Sequence, residues 1–316
     1  MWARRPPFFW LAGPPGADRN RPPGGFFAGP ARRTGHAQKM PNHALRLWGR
    51  TANITRPPMS TAASETTHAQ VSSRFEGWRL HVFEELTSTN TSAGPLPAWT
   101  AVRAGVQRGG RGRTVDRRWI SDEGGLWLSA VLPCPGARAK WEILPLAAGW
   151  AIIGALREFG VPDPRLRWPN DIMVGRRKLA GLLVERYRND TAVVGVGLNV
   201  FNFPELANPV LAGQTARLAD LVPGAHTVDD AARLVLRALR RMHVLLLGEG
   251  FRTIADELNL AWGKPRRVEI TLAGRAHTFD GYFQGIDQQG RLRIATERDG
   301  PCTYDAAHVA LLRELE

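Results

Sequence analysis

From Trp78 onward, short apolar runs bounded by Gly, Pro and Asp alternate with two long stretches of helical period. That is the signature of a mixed α+β domain. The runs predict strands at Leu80–Glu84, Thr100–Val106, Gly125–Leu132, Arg165–Trp168, Gly181–Arg186 and Ala192–Leu198. The helical stretches are Lys140–Phe159 and Asp229–Leu247. The second opens on Asp229-Asp230, acidic residues at the positive end of the helix dipole, and carries Leu234, Leu236, Leu239, Met242, Leu245 and Leu246 as an apolar stripe of core type. The apolar run Ile143 to Leu156, interrupted by Pro145 and Gly149, is too short to span a bilayer and reads as core helix. A shorter helix, Thr253–Leu260, leads to Gly263-Lys264-Pro265. Beyond it the alternation of residues 267–273, Thr278–Phe283 and Leu292–Ala295 around turns such as Asp287-Gln-Gln-Gly290 predicts a small β-barrel.

The chain before Trp78 differs in kind. Residues 1–58 hold ten Pro and seven Gly without sustained period, which predicts disorder. Its Arg-rich, acid-poor character faintly suggests a transit segment, although Met59, opening the Ser/Thr-rich run Ser60 to Ser73, is a more natural start. The division expected is therefore a disordered extension over 1–73, a catalytic domain over 74–262 and a barrel over 263–316.

Charge follows the same division. The net charge is +13, but residues 1–58 contribute +9 of it and residues 59–316 only +4. A basic nucleic-acid-binding domain is thus poorly supported. Cys134 and Cys302 have no metal-ligand spacing and no disulfide framework, which suits a reducing, cytoplasmic setting.

Three stretches could carry chemistry. Gln107 to Trp119 holds five Arg and three Gly directly after a predicted strand. Glycines let backbone N–H groups approach anionic oxygens, and guanidinium forks bind the same oxygens. It is neither a Walker A loop nor a dinucleotide fingerprint, and a solvated Arg hairpin or RNA-binding loop fits its composition equally well. In Arg167-Trp-Pro-Asn-Asp171, Asn170 and Asp171 are expected to end a strand, and a hairpin turning at Gly175 would bring Asp171 near Lys178. Lys178 could serve as a point charge for phosphate or be an ordinary turn lysine. In Val193-Val-Gly-Val-Gly-Leu-Asn-Val200 the two glycines either leave room for a flat ligand or relieve packing.

Order and spacing of these stretches resemble one family. Thr87-Ser-Thr-Asn90, Gly110-Arg-Gly-Arg113 with Trp119, Arg167-Trp-Pro-Asn-Asp171, Arg177-Lys-Leu-Ala-Gly181 and Gly195-Val-Gly-Leu-Asn199 together are similar to the biotin–protein ligases. The resemblance runs over about residues 78–316. It implies a class II aminoacyl-tRNA synthetase-like mixed sheet with flanking helices, plus a C-terminal SH3-like barrel. It also implies activation of biotin by ATP to biotinyl-5'-AMP, release of pyrophosphate, and transfer to a lysine of a carboxylase biotin-carrier domain.

The resemblance carries roles to particular residues. Ser88, Thr89, Asn90 and Gln107 would hold the biotin head, with Gly181 in the pocket floor. Gly110, Arg111, Gly112 and Arg113 would form the loop closing over the biotin carboxylate and adenylate phosphate, and Arg113 and Lys178 would be catalytic. Trp119, Asn170, Asp171 and Asn199 would serve the adenylate, with Asp171 orienting Lys178 or helping to bind Mg²⁺. The loop departs from the family pattern at Thr114-Val115-Asp116, and Arg167 replaces a lysine. Residues 1–77 lack the periodicity of a winged helix-turn-helix, so no specific DNA partner is expected, nor a membrane. The resemblance allows a monomer or a homodimer. The alternatives are a lipoate–protein ligase and a nonenzymatic nucleic-acid-binding module.

Overall fold

A computed structural model describes residues 71–114, 117–137, 141–224, 226–274, 278–296 and 300–315. Strands β1 (Val71–Phe75) and β2 (Trp78–Leu86) form a hairpin, followed by the short helix α1 (Thr89–Ala93) and by β3 (Thr100–Gln107), parallel to β2. The chain continues through β4 (Leu126–Pro133), helix α2 (Leu144–Glu158), β5 (Pro164–Arg167), β6 (Asp171–Val174), β7 (Arg177–Glu185) and β8 (Thr191–Leu198). These strands make one eight-stranded sheet of order β1-β2-β3-β4-β8-β7-β6-β5. Short helices α3 (Pro204–Ala207) and α4 (Leu218–Leu221) precede the long helices α5 (Val228–Gly248) and α6 (Arg252–Trp262).

Residues paired across neighbouring strands share a face, so the register sorts the sheet into two sides. On one side Leu126, Leu128, Ala130, Leu182, Val196 and Leu198 are buried in the same core cluster as Leu144, Ala148 and Ile152 of α2 and Leu236 and Leu239 of α5. Helix α5 begins with a capping box, in which Thr227 and Asp230 exchange side-chain and backbone hydrogen bonds. Its polar and apolar residues segregate cleanly. On the other side of the sheet, short side chains and glycines leave room for the cleft.

After α6, strands β9 (Arg266–Leu272), β10 (Thr278–Ile286), β11 (Leu292–Thr296), β12 (Gly300–Tyr304) and β13 (Val309–Glu314) form a five-stranded antiparallel sheet of order β12-β11-β10-β9-β13. It is compatible with the small barrel expected. Arg165 on β5 makes a bidentate ion pair with Glu314 on β13 at 2.7 and 2.6 Å, and the Trp262 indole donates to the Leu166 carbonyl at 2.6 Å. Asn259 donates to the Ile286 carbonyl and accepts from the Ile286 amide, closing the bulged end of β10. All described residues belong to one compact unit.

The structure corrects several boundaries. Val71 to Ser73 pair with β2 instead of belonging to the extension, whose residues 1–70 lie outside the described residues. Helix α2 starts at Leu144, where Pro145 sits in the first turn and its missing N–H removes no helical bond; Lys140 lies outside the described residues. Asp171 opens a strand: β5 stops at Arg167, and the Trp168–Pro169 peptide, which is cis, precedes β6. Both cysteines are free, and burial pushes the Cys134 thiol up to about 11. Among the described residues no helix is long and apolar enough to cross a membrane.

One buried titratable group lies in the aromatic layer. His243 stacks on Trp141 with centroids 5.7 Å apart, meets Trp99 edge-on at 5.0 Å, and its Nε2 is 2.8 Å from the Pro133 carbonyl oxygen. Burial holds its pKa below the ordinary value, against the raising effect of the Pro133 carbonyl. The neutral ring is therefore the folded form. As pH falls through about 6.5, the unfolded chain takes up a proton that folded His243 resists, so stability drops with acid. A urea-unfolding series from neutral to mildly acid pH should show this fall, and His243→Gln, which keeps a donor for the Pro133 carbonyl, should flatten it.

Candidate active site

Four residues directly abreast, Trp127 on β4, Gly197 on β8, Gly181 on β7 and Asp171 on β6, form one row across the open face of the sheet. The two central members have no side chain. Trp119 lies in the space: a Cβ at Gly197 would come within 2.6 Å of its indole and one at Gly181 within 2.8 Å. Its ring meets Trp127 edge-on at 6.4 Å, and its indole N–H is buried with no acceptor in the structure. The room expected for a flat ligand beside Gly197 is thus occupied by a protein ring. Beside Gly195 it is filled by Asn90, whose Oδ1 would overlap any Cβ there.

Asn90 belongs to a buried polar cage built on α1. The Thr89 amide donates to Gln107 Oε1 at 2.8 Å, and the Thr89 hydroxyl donates to the same oxygen at 3.0 Å. Ser129 Oγ lies 2.7 Å from Thr89 Oγ1 and 2.6 Å from Asn90 Oδ1, while Asn90 Nδ2 donates to the Leu183 carbonyl and to Glu185. Ser88, Thr89, Asn90 and Ser129 are buried. Such a cage presents uncharged donors and acceptors in fixed positions, suited to a neutral polar head.

The Arg-rich segment folds back on itself. Gly112 donates to the Arg117 carbonyl at 2.7 Å and Trp119 to the Gly110 carbonyl at 3.0 Å, which carries Trp119 over the sheet. Arg111 is tied to the sheet side, 2.7 Å from Glu185, with further bonds to Thr91 and Tyr187. Burial works against its charge, but Glu185 outweighs burial and raises its pKa. Arg113 reaches the second sheet and donates to the carbonyls of Ala306, Val309 and Ala310 at 2.8, 2.6 and 3.1 Å. Burial lowers its pKa, with Asp171 opposing.

Lys178 reaches the cleft through a β-bulge. Ile172 pairs with Ala180 but Met173 pairs with Lys178, leaving Leu179 as an extra residue on β7. The extra residue reverses the alternation, so Lys178 joins Gly181 on the open face while Leu179 is buried. Its Nζ sits 2.6 Å from Asp171 Oδ1 and 4.7 Å from the Trp119 ring centroid. Arg167 takes Asp171 Oδ2 at 2.6 Å. Burial alone would raise the Asp171 pKa, but the two cations lower it, so the carboxylate stays ionised. This donor set does not fit a protein-held Mg²⁺: both Asp171 oxygens are committed to cations. Among the described residues no group of three His, Cys, Asp or Glu side chains could hold a metal.

These elements enclose a cleft of about 840 Å³. Residues 84–200 match the family described as "Biotin/lipoate A/B protein ligase family". A biotin–[acetyl-CoA-carboxylase] ligase of Mycobacterium tuberculosis is 30% identical over 253 residues, covering 75% of this chain and 90% of that protein. The bifunctional ligase/repressor BirA of Escherichia coli is 30% identical over 241 residues, covering 73% of each chain. The chain belongs to the biotin–protein ligase family. The biotin protein ligase from Aquifex aeolicus, solved in complex with biotin and ATP, has the same fold, with a TM-score of 0.64 at 24% identity over 76% of this chain and 100% of that one.

In this ligase the cleft is lined by Ser88, Thr89, Asn90, Gln107, Arg111, Gly112, Arg113, Trp119, Asn170, Asp171, Lys178, Gly181 and Asn199. Gly110 does not face it: a Cβ there would collide with the Trp119 carbonyl and Ser121 Oγ, so this glycine lets the loop cross itself. The amides of Asn170 and Asn199 are occupied, the first by the Leu182 carbonyl and the second by Ala216, Lys178 and Asn202. Among the polar residues not assigned from the sequence, Ser129, Glu185 and Tyr187 hold the cage and Arg111 in place. Ser129 is a lone hydroxyl in an apolar strand, and Glu185 stands at even spacing from Gly181 on β7, a parity that places both on one face.

Gly195→Ala tests this packing without reference to chemistry. The new methyl would force Asn90 off Ser129 and should destabilise the ligase by about 1–3 kcal/mol, read from its thermal unfolding. An unchanged melting temperature would contradict the arrangement.

Proposed function

We propose that the chain activates biotin with ATP, forming biotinyl-5'-AMP and releasing pyrophosphate, and then passes the biotinyl group to a lysine of a carboxylase biotin-carrier domain. The observation that carries this reading is the make-up of the cleft. Among the described residues, seven cationic side chains, Arg111, Arg113, Arg117, Arg118, Arg167, Arg176 and Lys178, line it against one carboxylate, Asp171, beside a neutral buried cage. A ligand with an uncharged polar head and an anionic tail, meeting a polyphosphate, fits such a surface.

In the first step a carboxylate oxygen of biotin attacks the α-phosphorus of ATP and the bond from that phosphorus to the bridging oxygen breaks. Biotin's carboxyl is already ionised at neutral pH, so no base is required. The barrier lies in bringing two anions together, which positioned cations in a dry site lower. Lys178 is the cation best placed for this role: Asp171 fixes its Nζ, and Trp119 covers it from one side. The loop carrying Trp119 would shield the mixed anhydride from water. In the second step the lysine nitrogen attacks the acyl carbon, AMP leaves and the amide forms. No residue of this chain is assigned to Mg²⁺.

The matched family includes lipoate ligases, and the uncharged cage favours biotin, whose ureido ring offers donors and an acceptor where lipoate has only a dithiolane. Exchange of labelled pyrophosphate into ATP should therefore depend on biotin and not respond to lipoate. Lys178→Ala should lower this exchange by about a hundredfold or more. Exchange driven by lipoate, or none with either acid, would refute the reading.

A further inference from the structure

Glu185 ends β7 beyond every segment to which a role has been given, yet three donors converge on its Oε2. They are Asn90 Nδ2 at 2.7 Å, Arg111 at 2.7 Å and the Tyr187 hydroxyl at 3.2 Å. Asn90 is part of the buried cage, and Arg111 is part of the Arg-rich loop, so one carboxylate on β7 joins two separate parts of the site. Gly94 clears the space in which the Tyr187 ring packs, and Tyr187 in turn accepts from Arg111.

This arrangement bears on what Arg111 can do. Its guanidinium has contacts to Thr91, Glu185 and Tyr187, all on the cage side of the cleft, so it anchors the loop to the cage. The remaining Nδ2 proton of Asn90 is held by the Leu183 carbonyl, which fixes the amide plane. Removing the carboxylate would free both the amide and the loop.

We infer that Glu185 is a positioning residue of the ligation reaction, holding Asn90 of the biotin-head cage and Arg111 of the Arg-rich segment in one fixed arrangement. This rests on the proposed function and goes beyond it, because Glu185 acts through Asn90 and Arg111 and does not itself line the cleft. Binding of the head against Asn90 would stiffen the link that holds Arg111, and a fixed Arg111 would hold the cage in its binding geometry. The two events should therefore be energetically coupled.

The ion pair is half open to solvent, with side-chain exposures of 41% for Arg111 and 31% for Glu185, and such pairs contribute little to global stability. Glu185→Gln and Arg111→Gln should therefore fold, which melting curves would check. Biotin-dependent pyrophosphate exchange, and hydroxylamine trapping of biotinyl adenylate escaping from the enzyme, would be measured for wild type, both single variants and the double variant. Glu185→Gln is expected to raise KM for biotin about tenfold with kcat almost unchanged, and to speed adenylate escape. The double variant is expected to be no worse than the poorer single variant, the mark of a shared interaction. A wild-type KM and escape rate in Glu185→Gln, or fully additive losses in the double variant, would overturn the inference. If Glu185→Gln melts early, a wild-type escape rate in Arg111→Gln would overturn it instead. Absence of biotin-dependent exchange in the wild type would count against the proposed function itself.

Discussion

Gly181 on β7 stands directly across from Gly197 on β8, and the absence of two neighbouring side chains in the middle of an eight-stranded sheet opens the space around which the cleft is arranged. Trp119 fills it edge-on to Trp127; the next row, Ser129, Gly195 and Leu183, receives Asn90 in the same way. The sheet thus supplies a floor whose depth is set by missing atoms. Larger residues at these positions would lift Trp119 and Asn90 away from the strands, and with them the loop and α1.

Charge in the cleft is organised by partners within the protein. Asp171 holds Lys178 and Arg167, Glu185 holds Arg111, and three backbone carbonyls at the start of β13 and in the turn before it hold Arg113. Cations so fixed need little reorganisation when an anion arrives, which is the condition for electrostatic stabilisation in a desolvated site. The same ties explain why a cleft with so many like charges is compatible with a folded chain.

The second sheet is part of this arrangement. Arg113 crosses from the loop to the backbone at residues 306–310, and Arg165, Arg266 and Glu314 join β5, β9 and β13. A carbonyl cluster recognises a guanidinium without demanding any particular side chain of the strand. The contact therefore leaves no trace in the composition of the C-terminal region.

Much of this protein was legible in the chain itself. Periodicity revealed the long helices and most strands, because burial on one face imposes its period directly on the sequence. The Asp171 and Lys178 contact followed from a hairpin turning at Gly175, whose φ is 56°. The Arg111 to Arg113 segment stood out because glycine and arginine cluster there, whereas Ser88 to Asn90 was picked out only by the resemblance to the biotin–protein ligases. What stayed hidden depended on register and on distant backbone. Strand parity alone would turn Lys178 away from Gly181, and only the bulge at Leu179, fixed by pairing with β6, turns it to the cleft. The meeting of Glu185 with Asn90 and Arg111, 95 and 74 residues apart, and of Arg113 with carbonyls 193 to 197 residues away, likewise arises only when the sheet closes. Local sequence carries the pattern of burial, but no residue encodes which remote carbonyl or carboxylate will stand opposite it.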